Sequence, residues 1–152
     1  MKYNWRDFLI TAVAVPLVLA LLSAMQIAVH QRATAFLVLP PFAVIIYSIF
    51  RNPLGESATL RSIVVLPCLG ATLGQLAWHY LGLTPAGVAA ATLAVLVAQA
   101  VIGASMPPAL ALAVLAMLLR AEGPWYVLGV LEGTFTIFGA FWLWRIVIIR
   151  WA

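Results

Sequence analysis

Charge is scarce in this sequence. Four residues are acidic and eight are Lys or Arg out of 152, so charged side chains make up 8% of the chain. Hydrophobic residues make up 66%, and the mean hydropathy is +1.14. A soluble domain runs nearer a quarter charged and half apolar. Twelve charges cannot clothe a water-facing surface, which argues against a soluble enzyme, a nucleic-acid-binding domain or a disordered tail. The expected solvent for most of the chain is the lipid bilayer. Cysteine is nearly absent as well. Cys68 alone excludes an intrachain disulfide and a thiolate metal cluster drawn from this chain. It lies in an apolar run and reads as a small buried hydrophobe. Also missing are metal-ligand spacing, a phosphate loop, a Ser/Lys or Cys/His pairing, and the alternation of a transmembrane barrel. The expectation is an all-α membrane protein that is not an enzyme and carries no cofactor.

What is present is a series of apolar runs. A helix crossing the hydrocarbon core needs about 20 mostly apolar residues. Residues 8–28, 62–81 and 125–144 meet that need, and the first reads as a retained span rather than a cleaved leader. Residues 33–50 are interrupted by Pro40-Pro41, and residues 85–119 by Gly103 and Pro107-Pro108. If wholly helical, residues 85–119 would reach only about 52 Å, short of two full crossings. They must form two short helices, a tilted pair or a re-entrant hairpin. The total is five to six membrane segments in one domain, residues 1–152.

The basic residues sit at the edges of these runs, which fits membrane topology and not a phosphate-binding stripe. With the N-terminus in the cytoplasm, Lys2, Arg6, Arg51, Arg61, Arg145 and Arg150 fall inside, and Arg32 and Arg120 outside. That bias predicts an inner-membrane protein with both termini cytoplasmic and no nucleic-acid partner.

An internal repeat emerges when Leu39-Pro40-Pro41 is placed over Met106-Pro107-Pro108. Each pair opens an apolar run that ends at an arginine, Arg51 or Arg120. A short polar turn follows, and then a run with a spaced glycine pair, Gly70/Gly74 or Gly133/Gly139. Upstream, Gln26 and Gln99 occupy matching places. The alignment divides the chain into three-segment halves, residues 1–82 and 83–152. A unit with an odd number of crossings repeats upside down, and inverted repeats with interrupted helices are a signature of secondary transporters.

Proline is tolerated in the first helical turn and breaks a helix elsewhere. Pro40, Pro41, Pro107 and Pro108 therefore mark helix starts below the membrane surface. Such a start offers partial positive charge and free N–H groups to a small anion or polar solute. The alternative is a pair of kinks patched by neighbouring helices. Gln26, Gln99, Ser105 and Met106 complete the candidate substrate site. The neutral polar ones among them also suit interhelical hydrogen bonding. Glu132 is the one carboxylate within an apolar span and is a candidate proton carrier, with an ion pair or hydrogen bond as the structural alternative. Trp78, His79 and Tyr80 suit an interfacial aromatic belt, and the spaced glycines suit close helix packing.

The run Ser105-Met106-Pro107-Pro108-Ala109-Leu110-Ala111-Leu112 resembles the His-Pro-Pro-Ala-Gly-Ala segment that names the HPP family of integral membrane proteins. Leu39-Pro40-Pro41-Phe42-Ala43-Val44-Ile45, Asn52-Pro53-Leu54, Arg61 and Gly70/Gly74 are similar to that family's first half. Met106 stands where the family has histidine, and Leu110 where it has glycine. The resemblance implies a transporter of a small anion, some members being linked to nitrite movement. The rival reading is a small membrane subunit or scaffold that binds partner helices and transports nothing. A homodimer is expected if the chain encloses a path.

Overall fold

A computed structural model of the chain describes residues 13, 15–21, 24, 39–53 and 55–151, and of residues 39 and 147–151 only the backbone. The described residues are helical, with no strand among them. Residues 15–21 form the described part of α1, and Val15, Val18 and Leu19 pack against the core. Of the expected first span, residues 8–12, 14, 22–23 and 25–28, Gln26 included, lie outside the described residues. Then come α2 (Leu39–Arg51), a π-helical turn (Arg61–Val65) running directly into α3 (Leu66–Leu81), α4 (Pro85–Ile102), α5 (Pro107–Leu118) and α6 (Trp125–Trp151).

Three of these are long and apolar enough to cross a bilayer: Arg61–Leu81, Pro85–Ile102 and Trp125–Ile146. These lengths and compositions fit a helical membrane protein. Helices α2 and α5 are shorter, at 13 and 12 residues. At 1.5 Å per residue each extends only about 20 Å, well under the roughly 30 Å of hydrocarbon.

The π turn has a local cause. Pro67 lies two residues into α3, lacks an N–H, and would clash with the carbonyl one turn back in a regular helix. The turn widens instead, and the Leu66 N–H reaches the carbonyl of Arg61. Thr84 opens α4 by accepting the Gly87 N–H at 3.0 Å, with Pro85 in the first turn. Gly103 closes it at φ 69°, a left-handed conformation that glycine adopts without penalty. Residues 85–119 are therefore a helical hairpin of two unequal arms.

Helix α5 ends in a Schellman arrangement. Ala121 N–H donates to Ala116 and Arg120 N–H to Met117, at 2.9 and 3.1 Å. Arg120 occupies the left-handed position at φ 48°, and its guanidinium lies 5.9 Å from the centre of the Trp78 ring.

Helices α3 and α5 make the tightest contact. Gly70 faces the backbone of Ala109 and Gly74 that of Ala113. The four-residue step is the same on both sides, so these helices run parallel. Gly133 of α6 receives the ring of Phe42, and Phe50 meets Phe141 and Trp144 at ring separations of 6.0 and 4.9 Å. Helix α2 thus runs parallel to α6. Tyr126 hydroxyl donates to the Leu112 carbonyl at 2.7 Å, which ties the start of α6 to the middle of α5. The buried core is continuous from Phe42, Ile45, Ile46 and Ile49 to Met106, Leu112 and Ile137.

Candidate functional site

The two Pro-Pro helix starts share one layer of the molecule. Phe42, directly after Pro40-Pro41, lies against Gly133. The next residue, Thr134, has its hydroxyl 3.9 Å from the Cys68 sulfur. Cys68 is two residues from Gly70, and Gly70 lies against Ala109, directly after Pro107-Pro108. This chain of contacts crosses α6 and α3 at one level. Gly70 is nine residues from Arg61 and eleven from Leu81, so the level is about 13 Å from one end of the span and about 16 Å from the other. From it α2 and α5 depart in opposite directions. One runs to Arg51 and the other to Leu118.

The donor count at the start of α5 departs from the sequence expectation of free N–H groups. A helix leaves its first four N–H groups without intrahelical partners. Here Pro107 and Pro108 have none to offer. The Met106 N–H donates to Gln99 Oε1 at 3.4 Å, and the Ala109 N–H donates to the Met106 carbonyl at 3.0 Å. Gln99 Nε2 completes the ring by donating to the same Met106 carbonyl at 3.0 Å. Gln99 therefore reads the Met106 peptide as a second strand would, with one bond given and one accepted. Its side chain is 8% exposed and that of Met106 is fully buried. What α5 presents is the dipole of its turns, not a cradle of backbone donors.

The other candidates divide by exposure. Pro41 and Pro108 are buried, while Pro40, Pro107 and Ser105 are exposed. Gln99, Ser105, Met106, Pro107 and Pro108 are brought together by the α4–α5 turn. Pro40 and Pro41 lie at the start of α2, which reaches this layer through Phe42 against Gly133. Glu132 is half-buried in the first third of α6, one residue before Gly133, and its carbonyl accepts from Thr136 Oγ1 at 2.9 Å. It belongs to the same layer. Thr134, fully buried, donates to the Leu131 carbonyl at 3.0 Å and faces Cys68.

Nothing in the sequence marks Thr134 and Cys68 as a pair. No spacing rule links positions 66 residues apart, and only the crossing of α3 and α6 unites them. Among the described residues no group of His, Cys, Asp and Glu could hold a metal ion. At the far end of α3, the Gln75 side-chain amide donates to the Gly123 carbonyl, and the His79 and Tyr80 rings meet edge-on at 5.0 Å.

Comparison with known proteins yields no match among family models, curated proteins or solved structures.

Proposed function

We propose that this protein is a membrane transporter or channel for a small solute, with a small nitrite-like anion as the substrate class. In this reading residues 1–82 and 83–152 are inverted halves, and the solute passes the layer where both Pro-Pro helices begin. One observation carries it. In the alignment of the halves Gly70 matches Gly133, and Phe42 matches Ala109. The contacts exchange the same way: Gly70 meets Ala109 of the other half, and Gly133 meets Phe42 of the other half. Chance similarity between Leu/Ala/Val-rich helices gives no reason for this reciprocity, whereas an in-plane pseudo-twofold axis does. The anion itself is implied by the resemblance to the HPP family, with Met106 in the histidine place.

With its backbone donors consumed, the tip of α5 would attract an anion through the helix dipole and the Ser105 hydroxyl. The start of α2, at Pro40-Pro41, would contribute from the other side. Such a site holds an ion weakly, as a conduction path requires. Both termini would lie in the cytoplasm. The end of the molecule bearing Arg51, Arg61 and Arg145 would face inward, and the end bearing Arg120 outward.

The test is flux of nitrite and other small anions into liposomes with and without the protein. The expected result is protein-dependent flux of at least one of them, and no flux across the panel would defeat the reading. Glu132→Gln is expected to flatten the pH dependence of that flux while leaving thermal stability within about 1 kcal/mol, the range of a single hydrogen bond. Intact proton-linked flux in this variant would remove Glu132 from the mechanism.

The closed donor ring at Gln99 and Met106 favours a second reading, a scaffold that binds partner helices and transports nothing. Purification in native lipid nanodiscs separates the two. A stoichiometric partner of different sequence supports the scaffold, and a lone homo-oligomer the transporter.

A further inference from the structure

We infer that the arginine-bearing rim at one end of the bundle binds the phosphate headgroup of an anionic phospholipid. Arg51 closes α2, Arg61 opens the π turn into α3, and Arg145 lies in the last part of α6. The end of α2 is held to α6 by rings: Phe50 lies 4.9 Å from Trp144 and 6.0 Å from Phe141. Arg51 and Arg145 are the sequence neighbours of the closest pair. The π turn carrying Arg61 packs on α6. All three arginines are exposed. Among the described residues the one acidic side chain at this end is Glu56, in the loop between Arg51 and Arg61.

The occupant is a lipid rather than a free anion because of what lies beneath each guanidinium. Tyr47 and Val44 sit one and two turns below Arg51 on the same face of α2, and both are exposed. Val65 lies one turn below Arg61, and Trp142 one turn below Arg145, exposed likewise. Each cation therefore heads an apolar stripe that an acyl chain can cover. The Arg51 guanidinium also donates to the Tyr47 hydroxyl, which turns it back along this stripe. A guanidinium pairs bidentately with phosphate oxygens. A basic residue near an anionic lipid surface contributes roughly a fivefold gain in binding. At the opposite end Arg120, the one arginine there among the described residues, lies over the Trp78 ring.

The experiment compares binding of phosphatidylglycerol and phosphatidylcholine of matched acyl chains to the full chain in detergent, by native mass spectrometry, with melting temperature measured in parallel. The wild-type protein is expected to prefer phosphatidylglycerol and to melt higher in its presence. Arg51→Gln/Arg145→Gln should reduce the preference about 30-fold, two steps of roughly fivefold, and Arg120→Gln should leave it unchanged. Millimolar inorganic phosphate should not displace the lipid. Equal binding of both lipids by the wild-type protein would overturn the inference whether or not the variants fold. So would an undiminished preference in a folded double variant, or complete displacement by inorganic phosphate.

Discussion

Gly74→Ala is expected to destabilise the protein by about 3 kcal/mol, at the upper end of what overpacking costs. The added methyl carbon would fall on the carbonyl oxygen of Ala113, with the Cα and carbonyl carbon of that residue each 2.6 Å away. No rotamer change relieves this, because the obstacle is backbone in the middle of α5. The two helices must move apart, and every contact along their seam loosens with them. In lipid that seam is held by close van der Waals approach, since acyl chains solvate apolar side chains as well as protein does. Gly70→Ala meets the same obstacle at Ala109, and the double variant should cost less than the sum because one separation relieves both clashes. Gly139→Ala is the control, with nothing within 4 Å of the added carbon, and should not lower stability. Denaturant or thermal unfolding of the purified protein in detergent reads all four. A Gly74→Ala protein as stable as wild type would mean that α3 and α5 do not approach as described.

The second large effect is expected at Gln99. Gln99→Leu keeps the bulk of the side chain and removes both bonds to the Met106 peptide, at 3.0 and 3.4 Å. Met106 is fully buried, and its N–H donates to Gln99 Oε1 alone among the described contacts. An unsatisfied buried group costs about 1–3 kcal/mol, and the loss falls on the Met106 N–H, because the Met106 carbonyl keeps the Ala109 N–H. A loss of about 2 kcal/mol is the expected result. Gln99→Glu adds a pH readout. The protonated acid can give one bond and accept one, as the amide does, whereas the carboxylate can only accept. Stability in this variant should therefore be higher where the acid is protonated than where it is ionised. A flat profile would show that the donor half of the pair is not used.

The sequence makes the helices legible because apolar length and proline punctuation act locally. Residues 62–81 and 125–144 reappear as Arg61–Leu81 and Trp125–Ile146, and both Pro-Pro pairs fall in the first turns of helices. The division of residues 85–119 follows from Gly103 and the second proline pair. The π turn is less legible. Pro67 announces a disturbance, but whether a helix kinks, breaks or widens depends on what packs around it. The donor count at α5 is the instructive failure. Proline at a helix start signals an end that would hold anions, yet two consecutive prolines also remove two of the donors. A side chain seven residues upstream of Met106 then engages the third. The pairing of Gly133 with Phe42 and of Gly70 with Ala109 depends on which helices cross, which no local pattern encodes.

The uneven α4–α5 hairpin bears on biogenesis. A 12-residue segment is too short to partition into the bilayer as an independent stop during synthesis. Its leading arm, 18 residues of mean hydropathy 2.0, qualifies by itself. Translocation machinery would thus release α4 first and hold α5 in a sheltered, aqueous position until α3 offers its glycine groove. The chain's insertion and its tertiary assembly become a single coupled event at this point, and slowing either one would leave the segment from Pro107 onward exposed to quality-control proteases.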